Sequence, residues 1–242
     1  EPEMCFIDLN DLMNISEDYI KFCLTHCIQS NLPELEFFTN EENNLLERLT
    51  KYASKENPFT RITYTEAISK LLKEIEEGKA IVRVEGMENK KFKKLAKGKH
   101  IFENGIEWGI DLASEHEKYL TDIIYQNPVI VYNYPKKIKS FYMKYNNEEY
   151  KSRETVQAMD ILVPGVGELI GGSMREENYE KLKYIMEKKG IKIDWYLDLR
   201  KYGSVPHGGF GLGFERLILL VTGLANIRDV IAYPRYPRHC MC

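Results

Sequence analysis

The chain has 242 residues, of which 43% are hydrophobic and 29% are charged, and its formal net charge is −3. This composition describes a globular protein that is long enough for one large core or two small domains. A balance this close to neutral excludes a global field that attracts nucleic acid, so any contact with RNA must come from local patches. No uncharged apolar run approaches the ~18 residues of a membrane helix, which predicts a protein without membrane contact.

Five cysteines occur without a C-x-x-C pair, and this pattern fits neither a disulfide framework nor a usual zinc site. Free thiols are typical of a reducing compartment, so we expect a cytoplasmic protein. The first residue is Glu1 rather than Met. We therefore expect the chain to be part of a longer protein.

Apolar side chains at helical spacing predict several helices. Two of them have the spacing of a capping box at their start, Thr63 with Glu66 and Ser114 with Glu117. We therefore expect both glutamates to serve helix ends. The predicted helices cover residues 16–29, 64–77, a segment that begins after Ser114, 176–189 and 194–202.

The middle of the chain is rich in β-branched and aromatic residues, which predicts strands. The short segment 164–167, with two glycines and a proline, indicates a hairpin and therefore antiparallel pairing. Because the strands cluster rather than alternate with helices, we predict an α+β fold with an antiparallel β-sheet flanked by helices. The predicted strands cover residues 128–134, 140–145, 155–163 and 168–175.

A glycine-rich segment at 208–213 is followed by Glu215, Arg216 and a predicted helix from Leu217. Glycines allow the backbone to approach a flat or charged ligand, and an arginine beside them can bind phosphate or stack on a purine. The segment is either a structural turn or a nucleotide site. It matches neither the dinucleotide fingerprint nor the P-loop, so a different kind of nucleotide site is needed.

Two acidic residues lie on adjacent predicted strands of the hairpin. Asp160 shares a strand face with apolar residues, where a carboxylate is costly without a partner, and Glu168 opens the next strand. The pair is either a surface feature or a site for Mg²⁺, which binds one or two carboxylates together with water and phosphate. Arg175 would face away from Glu168 in a regular strand. We predict a β-bulge at residues 171–172 that brings both to one side.

Several long segments, in chain order, closely resemble asparaginyl-tRNA synthetases, which are class II aminoacyl-tRNA synthetases. The last two together are similar to their motif 3. The resemblance implies the antiparallel sheet of the class II catalytic core. It also implies the activation of asparagine by ATP and the transfer of the asparaginyl group to tRNA(Asn). The similar segments are 108–117, 134–143, 160–176, 195–216 and 226–235.

The resemblance also implies roles for individual residues. Arg216 would contact the adenine ring and the γ-phosphate of ATP, and Glu168, assisted by Asp160, would hold Mg²⁺ on the phosphates. Arg175 would orient the asparagine side chain, in a pocket that Tyr142 also lines, and Glu1 would accept from an amino or amide nitrogen of the substrate. The other residues implied are Gly211, Gly213, Phe214 and Glu215 around ATP, and Gly171 beside the amino acid.

In this family a dimer-forming motif 1, a motif 2 arginine and an anticodon-binding barrel precede the segment that begins like Glu1. We therefore expect residues 1–242 to be the carboxyl-terminal part of a catalytic domain, inactive alone, in a homodimer built through the amino-terminal part. An aspartate-specific tRNA ligase and a non-catalytic paralogue that binds a nucleotide or amino acid remain alternatives. Six lysines between Lys90 and Lys99 form either a solvated insertion or a phosphate-contacting patch.

Overall fold

The structure, a computed structural model, describes residues 1–41, 43–83, 96–146 and 153–240. In these ranges no helix is both long enough and apolar enough to cross a membrane. The structure tests the role predicted for the lysine run only in part. Lys97 and Lys99 lie inside the described ranges, whereas Lys90, Lys91, Lys93 and Lys94 lie outside them.

The described residues form helices and strands that alternate irregularly along the chain. The helices are α1 (Leu9–Ser30), α2 (Leu32–Phe38), α3 (Leu45–Ala53), α4 (Tyr64–Glu76), α5 (Ser114–Lys118), α6 (Tyr179–Lys188), α7 (Asp194–Lys201) and α8 (Phe214–Thr222). The strands are β1 (Glu3–Cys5), β2 (Thr60–Thr63), β3 (Ala80–Val82), β4 (His100–Phe102), β5 (Val129–Pro135), β6 (Thr155–Val163), β7 (Gly167–Met174) and β8 (His207–Leu212). α5 continues as a wider π-helical segment, Tyr119–Tyr125.

Six of these strands form one sheet in the order β1-β8-β7-β6-β5-β2. Every neighbouring pair is antiparallel except β2 with β5, which is parallel. β3 and β4 form a separate parallel pair. The predicted α+β fold, an antiparallel sheet flanked by helices, is therefore confirmed.

The sheet separates two hydrophobic cores because alternate residues of a strand face opposite sides. Along β6, Met159 and Ile161 pack with side chains of α1, α3 and α8. Ala158 and Leu162 pack on the other side, with α4 and the π-helical segment. Asp160 lies in this second row and is 7% exposed. A carboxylate therefore interrupts an otherwise apolar strand face.

The hairpin prediction is confirmed, with β6 at its predicted bounds and β7 displaced by one residue. The strand predicted at 140–145 is wrong, since this segment makes only isolated bridges. Its hydrogen bonds go to two different strands: the N–H of Lys144 donates to Met174 O, and Lys144 O accepts from Gln157 N. A segment that divides its bonds in this way cannot extend one ladder.

Helix starts were predicted with mixed success. The capping box of Thr63 and Glu66 at α4 is confirmed. α1 begins before the predicted residue 16, because Asp8 caps a polar first turn that has no apolar periodicity. The box predicted for Ser114 and Glu117 is wrong, since Ser114 is already helical and α5 is preceded by Ala113. Glu117 therefore has a different role.

Candidate active site

One face of the sheet has a floor made largely of glycine. The register pairs Asp160 with Gly171, Gly171 with Gly211, and Gly209 with Glu3. Directly opposed residues project to the same side, so this face has carboxylates at its edges and bare backbone between them. A cavity of about 430 Å³ lies above this floor. A flat ligand can therefore approach the sheet closely.

A β-bulge in β7 brings the predicted site residues Glu168 and Arg175 to that face. Ile161 pairs with Ile170 but Leu162 pairs with Glu168, so Leu169 is the extra residue. The bulge predicted at residues 171–172 is thus present, but it lies two residues earlier, because both glycines pair regularly with β6. Its effect is the predicted one. Glu168 and Arg175 line the same cavity.

Asp160 is buried at the base of the cavity with its charge partly compensated. Its Oδ2 accepts from Lys139 Nζ at 2.6 Å, and the same ammonium lies 3.9 Å from the centre of the Tyr134 ring. Burial raises the pKa of Asp160, Lys139 opposes this rise, and the neighbouring Glu168 adds to it. Asp160 therefore already has one cationic partner from the protein itself.

Glu168 lines one end of the cavity, and Arg216, which does not line it, contacts Glu168 there. Arg216 lies in the first turn of α8, and its Nη1 donates to the backbone oxygen of Glu168. The same nitrogen is 3.7 Å from Glu168 Oε2. Both side chains are nearly half exposed, so they can still contact a ligand.

Glu117 lies behind this pair. Its Oε2 accepts from the N–H of Glu168 at 3.1 Å. Burial raises the pKa of Glu117 to about 7, the Glu168 N–H lowers it, and the charges of Glu168 and Asp160 raise it. The cavity-lining acids Asp160 and Glu168 therefore have a third acid, Glu117, and one arginine, Arg216, beside them.

The other end of the cavity is built around Arg175. Its Nη2 lies 2.6 Å from Glu3 Oε1, and its Nη1 donates to Ser173 Oγ. The guanidinium centre lies 5.0 Å from the centre of the Tyr142 ring. Because a carboxylate already partners Arg175, this end offers a donor and an acceptor side by side.

The structure brings together most of the predicted site residues but not all of them. Glu1, Tyr142, Asp160, Glu168, Gly171, Arg175 and Gly211 line the cavity. Gly213 precedes α8 and packs against Arg216, while Glu215 is exposed. Phe214 is 65% exposed and borders a separate apolar cavity of about 640 Å³, beside Ile15 and Tyr19 of α1. Phe214 therefore does not line the acidic cavity, although both cavities are lined by Glu1 and Phe210.

Three residues at the site are not predicted from the sequence to belong to it: Glu3, Lys139 and Glu117. Glu3 follows Glu1 by two positions, and strand alternation could have placed both on one face. Lys139 belongs to a segment that resembles the synthetases but carries no pattern of its own. Glu117 was assigned to a helix cap, because its spacing from Ser114 is that of a capping box.

The cavity suits Mg²⁺ bound mainly through phosphate. In the described part of the chain, no three His, Cys, Asp or Glu side chains are grouped so that they could hold a metal ion. Mg²⁺ does not need such a group, since it keeps several waters and takes one or two carboxylates plus phosphates. Glu168, whose side chain is 42% exposed, is open enough to supply one of them.

Known proteins resemble this chain over nearly its whole length. Asparagine--tRNA ligase, cytoplasmic 1 from Arabidopsis thaliana is 51% identical over 98% of the chain, and asparagine--tRNA ligase from Acetivibrio thermocellus is 45% identical over 97%. The asparaginyl-tRNA synthetase of Pyrococcus horikoshii, solved in complex with asparaginyl-adenylate, superposes with a TM-score of 0.75 at 36% identity, covering 98% of the chain.

The chain spans 37% and 45% of the two ligases and 46% of the solved chain, which is under half the length of each protein. The family model described as tRNA synthetases class II (D, K and N) matches residues 1–237. The cavity, its glycine floor and the arginine at the start of α8 all lie within the matched region. The chain belongs to the class II tRNA synthetases of this group.

Proposed function

We propose that this chain is part of an asparagine–tRNA ligase, which activates asparagine with ATP and transfers it to tRNA(Asn). The pairing of Arg175 with Glu3 carries the proposal. A neutral amide needs both a donor and an acceptor, whereas a carboxylate needs donors only. Residues 1–242 would form the carboxyl-terminal part of the catalytic domain.

The first step joins asparagine to AMP. The asparagine carboxylate oxygen attacks the α-phosphorus of ATP, a P–O bond forms, and the bond to the leaving pyrophosphate breaks. The carboxylate is already ionised at neutral pH, so no general base is needed. Catalysis then consists of positioning and charge stabilisation. In the second step a terminal hydroxyl of tRNA attacks the acyl carbon, which forms the ester and releases AMP.

Each end of the cavity serves one substrate in this proposal. Arg175, Glu1 and Tyr142 would orient asparagine above Gly171. Arg216 would contact ATP over the glycines of β8 and Gly213, with Glu215 beside it. Phe214 stays a predicted ATP contact, although its ring borders the apolar cavity. The two ends share one floor, so the carboxylate and the α-phosphate can meet.

Mg²⁺ fits the ATP end of the cavity. Glu168 would hold the ion and Asp160 would assist, although Lys139 already pairs with Asp160. When bound, Mg²⁺ neutralises phosphate charge and orients the phosphate oxygens. The protein's own contribution is to keep the Glu168 carboxylate facing the cavity.

An aspartate-specific ligase is the alternative with the same fold. An aspartate side chain would meet Glu1 and Glu3 near Arg175, and like charges in a cavity oppose binding. A non-catalytic paralogue is disfavoured because Asp160 and Glu168 line one cavity and Arg216 donates to the backbone oxygen of Glu168. tRNA(Asn), a homodimeric partner and a cytoplasmic location complete the proposal.

Amino-acid-dependent exchange of pyrophosphate into ATP tests the substrate. It should be measured on the full reading frame that contains these 242 residues, with asparagine and aspartate in parallel. We expect exchange with asparagine. Exchange with aspartate alone would assign the enzyme to aspartate, and exchange with neither would favour the non-catalytic paralogue.

Arg216→Ala tests the ATP end separately. Loss of a donor to developing phosphate charge should reduce exchange by roughly 10²–10³-fold, while the unfolding temperature stays close to that of the wild type. Arg83→Ala is the matched control, because Arg83 pairs with Glu103 on the small sheet away from the cavity. Full exchange activity in Arg216→Ala would remove this residue from the site.

A further inference from the structure

The backbone N–H and C=O groups of Glu168 are each hydrogen-bonded to a side chain. Its N–H donates to Glu117 Oε2 at 3.1 Å, and its C=O accepts from Arg216 Nη1. The two side chains come from different helices: Glu117 lies in α5 and Arg216 lies in α8. The backbone position of Glu168 therefore depends on two side chains.

We infer that Glu117 is a positioning residue for ATP: by accepting the Glu168 N–H, it fixes the Glu168 carboxylate and Arg216 at the ATP end of the cavity. The inference rests on the proposed function, but it concerns a residue for which the sequence predicts only a helix-capping role, which the structure contradicts, and to which the family resemblance assigns no role in the site. Glu117 is expected to act through Glu168 rather than by touching substrate.

The hairpin carries a second, independent sign of this role. Gly167 has φ +96°, and a Cβ atom at this position would lie 2.6 Å from Glu117 Oε2. The missing side chain thus leaves the space that the carboxylate occupies. Because Leu169 bulges directly after Glu168, the ladder is irregular here, and a side chain supplies the acceptor for the Glu168 N–H.

The helix that carries Glu117 is itself anchored. His116 is fully buried, and its Nε2 lies 3.3 Å from Asn104 O. Glu115 accepts from the backbone N–H groups of Glu103 and Asn104. These contacts bind α5 to residues 103 and 104, and they are separate from the contact between Glu117 and Glu168. They also offer Glu115 as a control on the same helix.

The test compares Glu117→Ala with Glu117→Gln in the full reading frame, once the wild type shows asparagine-dependent exchange. Ala removes the acceptor, and we expect kcat/KM for ATP to fall roughly ten- to a hundredfold, with the Mg²⁺ concentration for half-maximal exchange raised. KM for asparagine should stay within about twofold of the wild type. Gln keeps an acceptor oxygen and should restore most of the loss.

Glu115→Ala controls for a merely structural role, because it removes a carboxylate from α5 without touching Glu168. Glu115→Ala should alter the unfolding temperature but not the ratio of KM for ATP to KM for asparagine. The inference is overturned if Glu117→Ala leaves ATP kinetics unchanged, if Gln and Ala lose equally, or if KM for asparagine rises as much as KM for ATP. Absence of exchange in the wild type would instead reject the proposed function.

Two glycine variants provide a second test of the inference if Glu117→Ala does not fold. Gly165 and Gly167 both have positive φ in the same hairpin, +79° and +96°. An added Cβ at Gly165 meets nothing within 4 Å, whereas at Gly167 it meets Glu117. We expect Gly167→Ala to reproduce the selective loss for ATP and Gly165→Ala not to. Equal kinetics in the two variants would contradict the inference.

Discussion

At the scale of single residues, the absence of a side chain matters as much as its presence. Gly171 lies between Asp160 and Glu168, and a Cβ atom there would be 2.7 Å from Glu168 Oε1. The obstructed atom is the end of a flexible side chain rather than backbone. A substitution at this position would therefore displace the carboxylate and leave the strand in place.

Gly171→Ala should accordingly separate function from stability. We expect exchange activity to fall at least tenfold, with a higher KM for ATP because Glu168 is displaced and for asparagine because the methyl group lies below it, while the free energy of unfolding changes by less than about 1 kcal/mol. Steady-state exchange and urea denaturation measure the two effects. Gly105→Ala is the control, since a Cβ there meets nothing within 4 Å. Unchanged ATP kinetics in Gly171→Ala would mean that the Glu168 carboxylate is not needed where it lies.

The sequence predicts that several charged residues lie close together because strand pairing determines their neighbours, and the structure brings three of them to one cavity. Asp160, Glu168 and Arg175 converge through hairpin pairing and a bulge, both of which follow from local patterns. Glu117 was not predicted, since its spacing from Ser114 is indistinguishable from that of a capping box. Lys139 was not predicted either, because its contact with Asp160 depends on the path of an irregular segment.

At the scale of elements, β8 shows where a sequence pattern misleads. Glycine is depleted in strands, so the segment 208–213 indicates a turn. The neighbours explain the strand: a Cβ at Gly209 would lie 2.4 Å from Pro2 O, and one at Gly208 would lie 2.7 Å from Met174 Sδ. β8 needs glycine because β1 and β7 pack tightly around it. That requirement comes from strands distant in sequence.

The docking of α1 against β2 depends on one buried acid. Glu17 Oε1 lies 2.8 Å from Lys21 Nζ and accepts from the N–H of Phe59, while its Oε2 lies 3.1 Å from Arg61. Burial alone would raise the pKa of Glu17, but these contacts outweigh it and lower the pKa below the usual 4.5. The ionised form is thus the one that the fold stabilises.

Glu17→Ala should therefore destabilise the protein by about 3–5 kcal/mol, because it leaves Lys21 buried and unpaired. A lowered pKa gives a contribution that is fully present above pH 4.5 and is lost as pH falls through the folded-state value. The difference in free energy of unfolding between the wild type and Glu17→Gln should thus be constant above pH 4.5 and shrink below it. Urea denaturation between pH 3 and 7 measures this. Glu36→Ala, on the exposed side of α2, is the control, and a difference independent of pH would contradict the assignment.

At the scale of the whole molecule, the clustering of strands was enough to predict an antiparallel sheet between helices. It was not enough to predict the strand order or the parallel pair of β2 with β5. Strand order is set by contacts between segments far apart in the chain, and local composition does not encode them. The two cores illustrate this, since α1 and α8 share one side of the sheet from opposite ends of the sequence.

The pairing of the first strand with the last has a consequence for folding. β1 joins the sheet only through β8, and Glu3 reaches Arg175 across 172 residues of chain. Closing so long a loop costs entropy that local contacts cannot offset, so such contacts form late. During synthesis β1 can pair with β8 only after β8 has left the ribosome. The Arg175 end of the cavity is therefore among the last parts of these 242 residues to form.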